Sequence, residues 1–214
     1  MNSKILTTHV GSLPRPAKLS QLLFAKDKNE IIDEKEFDDV VREEVKNIVK
    51  RQVNCGISVV SDGEMSKISY STYIKDRLHG FSGESERKAP ADLDAFPSYK
   101  EKIAKSGGTP TYTRPCCTDE LSIKDTEAVK KDIDNFKAAL QHSNVRSGFM
   151  NAASPGVIAL FLPNKFYETQ DQYLEALASL MAIEYKSITD TELLVQLDCP
   201  DLALARHMIY SDLS

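Results

Sequence analysis

Short β-branched runs ending in polar or glycine-containing turns, each followed by a long stretch at helical spacing, constrain this chain more than any other feature. Ile5 to Val10 is such a run, stopped by Gly11-Ser12. Phe37, Val40, Val41, Val45, Ile48, Val49 and Val53 then recur on one face of a strongly charged segment, which predicts an amphipathic helix. Asn54-Cys55-Gly56 supplies its stop, with Gly56 suited to the left-handed position after a helix. Ile57 to Val60 is the next run and leads into Ser61-Asp62-Gly63-Glu64, so the unit repeats. A short helical stretch is expected around 69–78. Strand character over 111–118 precedes a helical stripe of Val129, Ile133, Phe136 and Leu140. Val145 to Met150 runs into Asn151-Ala152-Ala153-Ser154-Pro155-Gly156. Thr169, an N-cap with Gln172 in the capping-box position, opens a long helix that reaches Ile188. Leu193 to Leu197 is the last run, closed by Asp198-Cys199-Pro200.

Strands separated by helices long enough for crossovers, with reactive residues just after the strands, specify a parallel α/β architecture that binds ligands at the strands' carboxyl ends. A dinucleotide-binding sheet is disfavoured, because His9-Val10-Gly11-Ser12-Leu13-Pro14 has one glycine and Pro14 and Pro16 interrupt an immediate helix. The expected fold class is α/β, an incomplete (β/α)8 TIM-type barrel of about five strand–helix units. Its strands are placed near 5–10, 57–61, 111–118, 145–150 and 193–198. A closed barrel typically takes about 250 residues, against 214 here. Residues 1–214 are read as one truncated domain, with 80–110 as an insertion or lid. Open edge strands with apolar faces lead to an expectation of self-association.

With 41% hydrophobic and 28% charged residues, the chain can bury a sizeable core. A net charge of −5 without a basic cluster argues against nucleic acid and anionic membrane surfaces as partners. No apolar run approaches the roughly 20 residues that span a bilayer, and the N-terminus lacks a secretory pattern. Cys55, Cys116, Cys117 and Cys199 show no C-x-x-C spacing, so reduced thiols and a cytoplasmic location are expected. A small-molecule ligand is the expected partner.

Four segments carry a resemblance: Thr7-Thr8-His9-Val10-Gly11-Ser12-Leu13-Pro14-Arg15-Pro16, Gly56 to Glu64, Phe149 to Gly156, and Leu197-Asp198-Cys199-Pro200-Asp201-Leu202-Ala203. In that order they resemble the cobalamin-independent methionine synthase family, in particular its short single-barrel members. The resemblance implies a barrel similar to uroporphyrinogen decarboxylase. It also implies transfer of the methyl group of 5-methyltetrahydrofolate, carried as a polyglutamate, to the thiol of homocysteine, with zinc holding that thiol. Val10, Gly11 and Ser12 match the turn that receives the amino acid's carboxylate, and Glu64 and Asp198 match the two acids that hold its ammonium group. Arg114 lies in a stretch that overlaps the folate contacts, and Phe161 falls where the long enzyme stacks a tryptophan on the pterin. Leu204 stands where that enzyme has a further acid. The family's zinc ligands, a His-x-Cys pair followed by a Glu and a later Cys, have no counterpart in this sequence. The resemblance therefore implies zinc but places no metal ligand and no catalytic residue here, and an inactive fragment is expected.

Each of these residue types also has a plainer use. Ser12 can cap a turn before Pro14, Glu64 can be a solvated strand-end acid, and Asp198 can cap a helix ahead of Pro200. His9 reads as an inward core histidine, His207 as a surface or capping residue, and His79 and His142 as exposed. Cys116, Cys117 and Cys199 lack the spacing of a metal site. Two other functions stay open. A uroporphyrinogen decarboxylase-like lyase would need arginines clustered at strand ends, where the chain offers mainly Arg15, Arg114 and Arg206. A non-catalytic fragment would bind only amino acid or folate.

Overall fold

The computed structural model describes residues 5–85, 91–105, 113–141, 143, 145 and 147–210. Helix α1 (Ala17–Asp27) begins directly after Pro16 and buries Leu19 and Leu23. No helix follows the first turn directly: α1 starts only after Pro14 and Pro16, with Pro16 at its N-cap, where no intrahelical N–H bond is lost. Helix α2 (Glu34–Asn54) is the predicted amphipathic helix. The Asp33 carboxylate caps it by accepting from Lys35 N and Glu36 N at 2.9 and 3.1 Å, while Glu34 and Glu36 complement the positive end of the dipole. Phe37, Val41, Val45, Ile48 and Val49 form its buried face, each side chain worth roughly 1.5–3 kcal/mol of transfer free energy. Gly56 ends it at φ 78°, with Gly56 N and Ile57 N donating to Val53 O and Gln52 O.

Three strands form a parallel sheet in the order β1 (Val59–Ser61), β4 (Ser147–Ala153), β5 (Leu194–Asp198). Val59 pairs with Ser147, and Phe149 with Leu194. The expected first strand at 5–10 is a correction: it reduces to one parallel bridge between Thr8 and Val59, with Thr7 O accepting from Ser58 N and Val59 N at 3.0 Å. Its Ile5, Leu6 and Val10 are exposed by 59% or more, so the apolar contacts that would extend the pairing are absent. The buried Gln52 side chain continues the β1 ladder, donating to Ser61 O at 2.8 Å and accepting from Ser61 N at 3.0 Å.

The segment 111–118 is the second correction. Residues 111 and 112 lie outside the described residues, and β3 (Cys116–Ile123) pairs antiparallel with β2 (Leu78–Ser82) in a separate two-stranded sheet. Strand propensity registered this segment, but pairing direction comes from where the chain turns back. The incomplete barrel thus carries four strand positions, at Thr8, β1, β4 and β5, where five units were expected. Around 69–78 the helical expectation shrinks to a 3-10 turn at Tyr73–Asp76. Within 80–110 lie part of β2, a 3-10 turn at Ala91–Ala95 and α3 (Pro97–Lys105); residues 86–90 and 106–110 are outside the described set.

Helix α4 (Glu127–Gln141) buries the predicted stripe of Val129, Ile133 and Phe136. α5 (Pro155–Phe161) is capped by Ser154, with Pro155 in its first turn. α6 (Gln170–Thr189) carries the full capping box between Thr169 and Gln172. α7 (Asp201–Met208) follows β5. One core packs α1, α2 and α4 on β1 and β4; a second packs the hairpin, α5 and α6. Between the two, Arg77 donates to Glu184 and Asp132 at 2.6 and 2.5 Å, and its guanidinium lies 4.7 Å from the Tyr73 ring centre. Burial pushes the Glu184 carboxyl up, but Arg77 and Lys67 outweigh it and hold it below the usual range. Among the described residues no helix is long and apolar enough to cross a membrane.

Candidate active site at the carboxyl ends of the strands

The turn after β1 builds the first wall. Ser61 Oγ accepts from Gly63 N at 3.2 Å and Asp62 Oδ1 accepts from Glu64 N at 3.0 Å, folding the chain so that Gly63 and Glu64 both take positive φ, 66° and 56°. For a side-chain-bearing residue that conformation costs about 1–2 kcal/mol. Arg15 offsets it by donating from Nη2 to Glu64 O at 2.8 Å and Lys67 O at 2.7 Å. The result turns the Glu64 side chain inward, to 1% exposure. Its plainer reading as a solvated acid is therefore corrected.

Ser12 Oγ donates to Glu64 Oε2, and Leu13 N donates to Gly63 O at 3.1 Å, joining the first turn to this wall. Gly11 takes φ 80° there, while Val10 stands 63% exposed. From the far side comes Asn151 on β4, whose Nδ2 donates to Glu64 Oε1 and to Asp198 Oδ2, both at 3.0 Å. Gln196 Nε2 steadies the other Asp198 oxygen at 3.3 Å. Asp198 caps no helix: Pro200 is the N-cap of α7 and makes no side-chain cap. Glu64 and Asp198 thus meet around one amide, and Ser12 joins them through the other oxygen of Glu64.

Charge in this pocket is lopsided. Among the described residues no cation lies within 4 Å of the Glu64 or Asp198 carboxylates. Arg15 is committed to carbonyls, and burial draws its pKa down while Glu64 and Asp62 push back. Lys67 Nζ donates to Asn151 O at 2.5 Å and lies 4.4 Å from the centre of the Tyr73 ring. Asp62 beneath the turn has its carboxyl pushed up to about 6 by burial, with Lys67 opposing.

Arg114 and Phe161 form a second group. The guanidinium carbon of Arg114 lies 5.0 Å from the Phe161 ring centre, and Tyr70 meets that ring edge-on at 6.2 Å. Leu204 is exposed on α7. His9 is exposed, which corrects the core reading; His79 and His207 are exposed, and His142 lies outside the described residues. Cys116 and Cys117 are buried, and burial pushes the Cys117 thiol up to about 11, away from the thiolate a metal needs. Among the described residues no three His, Cys, Asp or Glu side chains converge as metal ligands. Asn151, Arg15 and Lys67 carry no role in the sequence reading. The one available signal was position, since Asn151 sits in a strand-end motif beside two acids at other strand ends.

The chain is 23% identical over 195 residues to a methionine synthase of Sulfolobus acidocaldarius, covering 91% of this chain and 51% of that protein. Over 77 residues it is 31% identical to a probable 5-methyltetrahydropteroyltriglutamate–homocysteine methyltransferase of Schizosaccharomyces pombe, of which it covers 10%. Its fold matches a B12-independent methionine synthase from a Shewanella species, solved in complex with selenomethionine, at a TM-score of 0.65 and 19% identity, covering 91% of this chain and 51% of that one. The chain spans about half the length of the archaeal relative and of that solved chain. The family model described as cobalamin-independent synthase, catalytic domain, matches residues 5–133. That match takes in more than half of the sequence and both Ser12 and Glu64, and the chain belongs to the cobalamin-independent methionine synthase family.

Proposed function

We propose that this chain is the amino-acid-binding half of a methyltransferase that moves the methyl group of 5-methyltetrahydrofolate, as its polyglutamate, to the thiol of homocysteine, and that alone it binds without turnover. The observation that carries this reading is the meeting of Glu64 and Asp198 around Asn151, with Ser12 bonded to Glu64. Two carboxylates without a cation are suited to an ammonium group, each charge-assisted hydrogen bond contributing about 1.5–3 kcal/mol. The Val10-Gly11-Ser12 turn would face the carboxylate of the same ligand, and Arg114 with Phe161 would offer a cation and a ring edge to a pterin. A free thiol is mostly protonated at neutral pH, and zinc supplies the chemistry of holding it as thiolate. The described residues offer no set to hold that metal. These residues bind and orient, in a cytoplasmic protein in which 80–110 is read as an insertion or lid and the open barrel edges as sites of self-association.

Calorimetry on the intact chain with L-homocysteine, L-methionine and a reduced folate, with and without zinc, tests this. Binding of either amino acid is expected without zinc, and Asp198→Asn is expected to weaken it roughly ten- to a hundredfold by removing one charged contact. Failure of all three ligands to bind overturns the reading.

A further inference from the structure

Asn151 holds an unusual position for an amide. It is 3% exposed, and its Oδ1 is buried with no hydrogen-bond partner. A buried acceptor left unpaired is costly, and a leucine of similar shape would avoid that cost. Its other end explains its presence. Nδ2 has two hydrogens, and each is directed at a carboxylate, Glu64 Oε1 and Asp198 Oδ2, at the same 3.0 Å. The two acids are thereby held within two hydrogen-bond lengths of each other across strand positions that make no other side-chain link.

The choice of an amide matters because it donates without carrying charge. A lysine or arginine at this place would bring the acids together and also neutralise them. The two nearby cations make no ion pair with the acids: Lys67 donates to the backbone oxygen of Asn151 itself, and Arg15 donates to the carbonyls of Glu64 and Lys67 and, at 3.4 Å, to the Ser12 hydroxyl. They brace the backbone of the pocket and leave the carboxylate pair without an ion-pair partner.

We propose that Asn151 is a positioning residue that presents Glu64 and Asp198 side by side as an unneutralised pair, selecting ligands that carry a primary ammonium group. This rests on the amino-acid-binding reading above. The test titrates the intact chain with L-methionine, and with its analogue lacking the amino group, for the wild type, Asn151→Leu and Asn151→Asp across the range from neutral to mildly acidic pH. Asn151→Leu is expected to weaken L-methionine binding by roughly tenfold or more at every pH. Asn151→Asp is expected to bind as weakly at neutral pH and to recover in part on acidification, when the introduced carboxyl gains a proton and donates its single O–H to one of the two acids. A residue that merely fills space gives no such recovery. Binding by both folded variants within twofold of wild type, or weak binding by Asn151→Asp without recovery, overturns the proposal. If Asn151→Leu fails to fold, the pH profile of Asn151→Asp decides alone. Should the wild type bind no L-methionine, the functional reading fails separately, and a thermal-stability cycle of Asn151→Asp with Asp198→Asn still decides the positioning role: non-additive effects support it, additive effects overturn it.

Discussion

Asp62 makes a quantitative prediction, because its carboxyl is buried at 3% exposure directly under the candidate site. Burial is the main reason that it gives up its proton at about 6 in place of the ordinary 3.8, with Lys67 opposing and Asp132 and Glu64 reinforcing the rise. A carboxyl whose folded value lies above its unfolded one contributes stability that is complete below the unfolded value and is lost as pH rises through the folded value. The window here runs from about pH 4 to a little above pH 6, and at about 1.4 kcal/mol per pH unit the loss amounts to about 3 kcal/mol. Asp62→Asn removes the titration and keeps the oxygen that accepts from Glu64 N. Relative to wild type the variant is expected to gain about 3 kcal/mol between about pH 4 and pH 7, measured by urea unfolding at each pH. Stability curves of the two proteins that run parallel across this window would refute the reasoning.

Three further outcomes are expected. Gly148→Ala should destabilise by about 1–3 kcal/mol in urea unfolding, because its Cβ would sit 2.6 Å from the ring of the fully buried Phe136; an unchanged midpoint counts against the packing described for β4 and α4. Arg77→Leu should cost about 3–5 kcal/mol, since it leaves Glu184 and Asp132 buried without their shared cation; a loss below 1 kcal/mol, the order of a surface pair, would show the triad to be solvated. Light scattering should show mass that falls on dilution, as expected of a chain with exposed Leu194, Leu197, Ile5 and Leu6 at its open sheet edges; a monomer at every concentration refutes the edge-pairing expectation.

The helices were legible where their apolar stripes were long. Phe37 to Val53, Val129 to Leu140 and the Thr169–Gln172 box appear in the structure as α2, α4 and α6, because burial of one face and a satisfied cap are local properties of the sequence. Only Cys116 to Thr118 of β3 was legible as strand, and not as half of a hairpin, since its partner at Leu78–Ser82 falls where the sequence reads as the end of a helical stretch and the start of an insertion. Ile5 to Val10 reads as a strand by β-branching alone, and its pairing depends on neighbours that do not cover it. At the site, Glu64 and Asp198 were legible through their motifs. Asn151 was not, because a single amide in a strand has no spacing signature, and its meaning lies wholly in what faces it.

Strand β4 lies between two full strands, whereas β1 has β4 on one side and the single Thr8 bridge on the other, and all but the first residue of β4 are buried. The segment bearing Ser12 joins the ladder through one bridge, its other ties being turn contacts of Ser12, Leu13 and Arg15 with Gly63, Glu64 and Lys67. The pocket is therefore assembled from parts of very unequal persistence. Amide protons along Phe149–Ala153 should be the last to exchange with solvent, while those near Thr8 exchange through local opening. An amino acid that touched both the Asn151 wall and the Ser12 turn would tie the frayed strand to the rigid one, so occupancy would be registered first as slowed exchange at the edge of the sheet.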